Sequence, residues 1–249
     1  MYPNDQERAV IAEAEKVMQE TMAKYDPSHD AFHVQRVRKT ALSIAATVAA
    51  GGNGQKPDIL VVELAALLHD VLDKKYVTPE QAADPYAFFL PFFESVKAKH
   101  GLDLISDGRA ALVAKIVDNV SWSTEKRLRQ EGKWSEWHES CVELHCVQDA
   151  DRLDAIGAFG VLRCAAYSAV VNHPLHVPPS TTTSSSLIAS SAIGHFHDKL
   201  LHIRDRLKTE PGKLLGEKRH AVLVAFIESV EEEYSNSQIN SSSNSETDA

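Results

Sequence analysis

The chain has 249 residues, of which 43% are hydrophobic and 24% charged. That is enough apolar material to fold without disulfides, at a length one helical domain can take. Its 26 basic residues face 35 acidic ones, a net charge of −9. This excludes a general affinity for nucleic-acid polymers or anionic membranes, yet leaves room for a local basic pocket around one small anion.

Three cysteines, Cys141, Cys146 and Cys164, form no CxxC pair and read as reduced thiols of a cytoplasmic or nuclear protein. The polar start MYPNDQERAVIAEAEK lacks the apolar stretch of a signal peptide. Charges interrupt every apolar run before it could span a membrane.

Taken in order, the pattern predicts helices throughout. Residues 5–24 form the first, with Asn4 as N-cap and Glu7 three residues on, a capping-box spacing. Pro27 breaks the chain, and Ser28 is read as the N-cap of a second helix. There Val34, Val37, Ala41, Ile44, Ala45 and Val48 keep the 3.6-residue period until the glycines from Gly51 end it. A third helix begins after Pro57-Asp58 and carries VVELAALLHDVLDKK.

The prolines and aromatics of 76–95 suggest short helices and a loop. Residues 106–120 read as amphipathic, with Leu112, Ile116 and Val117 toward the core. The polar 121–134 reads as a connection. Helix returns over 135–147 and 149–171, with Leu153, Ile156, Val161 and Leu162 as its apolar residues. The Pro/Ser/Thr-rich 173–192 reads as a mobile loop. Residues 193–208 form a helix with Phe196, Leu200, Ile203 and Leu207 on one side, and 215–234 form the last. The low-complexity 236–249 is expected to be a disordered tail. One all-α domain over 1–235 is the economical architecture.

The third helix poses the chemical question. It is oily, yet it ends on adjacent His69 and Asp70, with Asp73 one turn later. Burying a carboxylate is costly unless it is paired or bound to a cation, and imidazole with carboxylate is a common shell for a divalent ion. His33 on the second helix and Asp149, Asp151 and Asp154 in VQDADRLD supply further donors. One His, the His-Asp pair and one Asp make a two-nitrogen, two-oxygen set suited to Mn²⁺, Fe²⁺, Zn²⁺, Co²⁺, Ni²⁺ or Mg²⁺.

The order H…HD…D, carried by SHDAFHVQRV, ELAALLHDVLDKKY, VQDADRLDAIGAFG and GHFHDKLL, resembles the HD-domain metal-dependent phosphohydrolase superfamily. The likeness spans residues 27–220 and is strongest to the subgroup of bacterial YpgQ and YedJ. It implies a single HD-domain helical bundle holding one divalent ion through His33, His69, Asp70 and Asp151. His33 is preferred to His29 because it heads HVQRV, and Asp151 to Asp149 because it lies in ADRL. Asp149 then stays a neighbour of the ligands, and Asp154 a partner for a ligand histidine or a substrate hydroxyl.

The resemblance further implies Asp73 as the group that activates water, and Lys74, next to it in sequence, is read from its position as a second catalytic residue. Arg36, three residues after His33, and Lys199, in the HF–KLL motif, are expected to bind the substrate's charge. The absence of a His-His pair between Asp70 and Asp151 favours one metal over two. The implied activity is hydrolysis of a small phosphorylated molecule, a nucleotide above all, by triphosphate pyrophosphohydrolysis or 5′-nucleotidase chemistry. The alternatives are a non-catalytic nucleotide- or metal-sensing module and a phosphodiesterase. A homodimer is compatible with the sequence.

Overall fold

The computed structural model describes residues 2–51, 56–72, 77–78, 83–178 and 184–242, with side chains described to 236. The described residues are helical, with no strand among them, and no single helix is long and apolar enough to cross a membrane. The chain groups into two compact units where the sequence suggested one domain: Met1–Asp154 with Leu207–Leu214, and Ala155–Arg206 with Leu215–Ala249.

The first unit is built around α3 (Ile59–Leu68). Asp58 caps it, accepting from Leu60 N–H and Val61 N–H at 3.0 and 3.2 Å. Leu60 through Leu68 are all buried, as befits a helix that is apolar on every face. Four helices cover it: α1 (Asp5–Met22), α2 (Ala31–Ala50), α5 (Arg109–Asn119) and α8 (Val142–Asp154). Helix α4 (Pro85–His100) packs on α5 and α1. The one charged residue within α3, Glu63, is answered from α2. Arg38 forks onto its Oε1 at 2.8 and 2.5 Å, and Tyr2 Oη hydrogen-bonds Oε2. A buried carboxylate held this way is satisfied rather than stranded.

Several local expectations hold. Asn4 and Glu7 form the capping box of α1, and the expected core residues of α2 are buried except Val48. Others are corrected. Asp30, not Ser28, caps α2, because its carboxylate reaches His33 N–H at 2.8 Å. The polar 121–134 contains α6 (Trp122–Gln130), capped by Ser121 and anchored by buried Glu125. A short α7 (Glu136–Ser140) follows. The apolar run after Asp149 is not one helix. Ile156 is extended (φ −129°, ψ 168°) and Gly157 has φ +75°, a conformation that suits glycine, so α8 stops at Asp154.

The second unit contains α9 (Gly157–Val170), α10 (Ser185–Ser190), α11 (Ala192–Asp198), two 3₁₀ turns (Leu200–His202 and Arg204–Arg206) and most of α12 (Glu210–Ser242). Phe196 and Phe226 pack with ring centroids 5.6 Å apart, and Leu200 and Ile203 are buried as predicted. Leu162 is not; it is exposed on α9. Part of the expected loop is ordered by backbone pairing: Ala192 N–H and Ile193 N–H donate to Pro174 and Leu175 carbonyls at 2.9 and 3.1 Å. The last helix runs past Tyr234 to Ser242, while 179–183 and 243–249 lie outside the described residues.

Candidate metal centre

Three elements of the first unit converge on one point. The Asp30 cap places His33 in the first turn of α2. Helix α3 ends at Leu68, so His69 and Asp70 turn inward from its end. Asp151 comes from α8. His33 Nε2 lies 3.3 Å from Asp70 Oδ2 and 3.7 Å from Asp151 Oδ1; His69 Nε2 lies 3.4 and 3.8 Å from the same atoms. Four donors at ~2.1 Å from one ion are separated by about 3–3.5 Å at octahedral or tetrahedral angles. The spacing fits.

The hydrogen bonds behind the two rings decide what they present. His33 Nδ1 lies 2.8 Å from Asp154 Oδ2. That carboxylate is clasped by Arg36, with Nε to Oδ1 at 2.8 Å and Nη2 to Oδ2 at 2.9 Å, so it is ionised and can only accept. His33 therefore donates through Nδ1 and offers a lone pair at Nε2. His69 repeats the arrangement with a backbone acceptor, Nδ1 donating to the Ala66 carbonyl at 2.8 Å.

Two imidazole lone pairs thus face two carboxylate oxygens. His33 Nε2, His69 Nε2 and Asp70 Oδ2 are buried and make no hydrogen bond, and His33, His69 and Asp70 form a group able to hold a metal ion. Converging acceptors repel one another unless a positive charge lies between them. Protonation shows the same demand: burial alone would lower the His69 pKa, but Asp70 and then Asp151 overcome it and push it up to about 9. Burial would raise the Asp70 pKa, but the positive charge that His69 can carry, with His33 close by at 3.3 Å, holds it well below the ordinary carboxylate range. The donor set suits a borderline-hard divalent ion, and Asp151, whose side chain is 30% exposed, leaves the centre open to solvent on its side.

The other predicted residues divide. Arg36 is near the centre, but its Nε and Nη2 are committed to Asp154, where the sequence suggested a substrate contact. Asp154 takes the part of partner to a ligand histidine. Asp149 is not beside the ligands. It is fully buried and accepts from Lys208 N–H, Thr209 N–H (2.7 Å) and Thr209 Oγ1 (2.7 Å), holding the start of α12. Asp149 and Asp151, two residues apart, leave α8 on different faces, and spacing alone could not say which one faces the histidines. Arg152 pairs with buried Glu125 at 2.6 Å. Lys199 belongs to the second unit, exposed at the end of α11. Asp73 and Lys74 lie outside the described residues.

His29, set aside in favour of His33 as a candidate ligand, lies beside the centre. The His29 ring meets the His33 ring edge to face at 5.8 Å. Its signal was the first histidine of HDAFH, four residues before His33.

No family model matches the chain. It is 28% identical over 231 residues to YpgQ of Bacillus subtilis, covering 90% of this chain and 94% of that protein. The crystal structure of YpgQ in complex with ADP superposes with a TM-score of 0.62 at 25% identity, covering 92% and 96% of the two chains. An HD-superfamily hydrolase from Bacillus thuringiensis gives a TM-score of 0.64 at 25% identity, covering 92% and 98%. The likeness to YpgQ and to HD-superfamily hydrolases read from the motifs is therefore shared by the all-α fold.

Proposed function

We propose that the chain is a metal-dependent phosphohydrolase of the HD kind, acting on a small phosphorylated molecule, with a nucleotide as the favoured class. The convergence of two imidazole lone pairs and two carboxylates on one buried point carries the reading. YpgQ, similar over most of its length, binds ADP, which supports a nucleotide. Nucleoside triphosphate pyrophosphohydrolysis is preferred to 5′-nucleotidase chemistry by analogy with that subgroup.

In this reading His33, His69, Asp70 and Asp151 hold one divalent ion. Bound there, the ion would supply a polarised phosphoryl oxygen and a water of lowered pKa. Asp154, braced by Arg36, keeps His33 in the tautomer that offers Nε2; Ala66 does the same for His69. Asp73 and Lys74 are assigned to water activation and charge stabilisation, and Lys199 and the outer edge of Arg36 to the substrate. All four assignments rest on motif position.

The test is release of phosphate or pyrophosphate from a panel of nucleotides with Mn²⁺, Co²⁺, Ni²⁺ or Mg²⁺. Wild type should turn over at least one nucleotide, and Asp70→Ala should lose at least ~10³-fold in kcat/KM. Equal rates in the two proteins would sink the assignment.

A further inference from the structure

Helix α9 turns its small residues inward and its large apolar ones outward. Gly157, Gly160, Cys164 and Ser168 form its buried face. Cys164 Sγ lies 3.7 Å from the Ala192 carbonyl at the start of α11, and a Cβ on Gly157 would stand 3.1 Å from Arg219 Cβ on α12. Phe159, Leu162, Tyr167 and Val170 are exposed, Leu162 by 65% and Val170 by 56%. At about 3.6 residues per turn these four share the side opposite the buried four. A helix of a globular unit ordinarily buries its apolar stripe. Large apolar side chains kept together in water mark a contact surface.

The exposed face fits itself. Its centre lies between Cys164 and Ala165, midway from Phe159 to Val170. A two-fold axis crossing there lays a second α9 antiparallel on the first. Phe159 then meets Val170 of the second copy, and Leu162 drops between Ala166 and Ala169 of that copy, large onto small. Arg163 falls beside the Tyr167 ring of the second copy, and such a ring attracts a cation. A two-fold contact uses the same patch twice, so a patch that complements itself is what it needs.

We infer that this face is a homodimer contact, in which two copies pair their α9 helices antiparallel. Charge favours a second copy at this place. With a net charge of −9 two copies repel each other over most of their surface, whereas α9 has no acidic residue and one base, Arg163. Antiparallel pairing also sets the two helix dipoles against each other favourably. Burying the face on both copies removes on the order of 1,000 Å², where specific interfaces begin. The dimer should therefore dissociate in about the micromolar range.

Sedimentation equilibrium of the full chain between about 1 and 200 µM is the test. Wild type should pass from monomer to dimer across that range. Leu162→Glu should weaken the dimer roughly 30-fold or more, because it sets two carboxylates against apolar groups. Its circular dichroism and Tm should stay as in wild type, since Leu162 is exposed in the monomer. Leu162→Ala, which adds no charge, should weaken the dimer about tenfold. Phe159→Glu and Val170→Lys should each weaken it alone. Mixed in equal amounts, they should form a heterodimer, because the two new charges then face each other. A wild type that is monomeric at the highest concentration overturns the proposal. So does a dimer untouched by both Leu162 substitutions, or a mixture that stays monomeric. Flotation of a monomeric wild type, but not of Leu162→Glu, with phosphatidylcholine vesicles would overturn it too, by giving the face to a membrane.

Discussion

Asp154 takes the Nδ1 proton of His33 at 2.8 Å from a position 121 residues away, and Arg36, one turn beyond His33, clasps the far side of the same carboxylate. One buried contact thereby determines which nitrogen of His33 faces Asp70 and Asp151. Asp154→Asn should break this logic while keeping the shape. An amide nitrogen turned toward Nδ1 would force the opposite tautomer and put a proton on Nε2. Mn²⁺ affinity should fall roughly 10–100-fold with the melting temperature little changed, as calorimetry and thermal denaturation can show. An unchanged affinity would remove Asp154 from the metal centre.

A centre made of converging acceptors should be relieved by its ion. At a free Mn²⁺ concentration of ~100 times Kd the folded state gains about 2.7 kcal/mol. For a chain of this size that is a rise of roughly 5–10 °C in Tm, reversed by a chelator. In His69→Ala the rise should vanish. A wild-type Tm indifferent to Mn²⁺, Co²⁺, Ni²⁺ and Mg²⁺ would contradict the site.

Glu125 makes a prediction about acid. Burial would raise its pKa, but Arg152 and Lys208, at 2.6 and 2.9 Å, hold it down to about 2. Its folded pKa lies below its unfolded one, so its stabilisation is complete above about pH 4.5 and is lost as pH falls toward 2. Glu125→Gln should cost a few kcal/mol at neutral pH by leaving two buried cations poorly answered. The gap from wild type should close between pH 4.5 and about 2, which urea titrations across that range would measure. A gap constant with pH would disprove the pairing.

Gly212 is a packing prediction. A Cβ there would stand 2.7 Å from Thr209 Oγ1 and closer still to Asp149 Oδ2, two groups already bonded to each other. Gly212→Ala should cost about 1–3 kcal/mol, a fall of several degrees in Tm by calorimetric scanning. Since Asp149 does not touch the metal ligands, Mn²⁺ affinity should stay as in wild type.

Much of this was legible in the chain. The apolar VVELAALL, with Glu63 its one charge, announces a helix buried on every side, and the H…HD…D order names two histidines that the fold brings within 3.3–3.8 Å of two aspartates. Local patterns can do this because helix period, caps and motif spacing are read over a few residues. Where they misled, a distant partner had the deciding energy. The polar 122–130 is helical because Glu125 buries itself against Arg152 and Lys208, and Arg36, expected toward the substrate, also pairs with Asp154.

By itself, then, the sequence determined the class of fold and the central helix, consequences of side-chain chemistry at short range, and motif resemblance nominated the candidate ligands. Only the tertiary structure decided what those ligands present. The tautomer of His33 and the face on which Asp151 and not Asp149 emerges depend on hydrogen-bond directions. Such directions exist only once distant segments are packed.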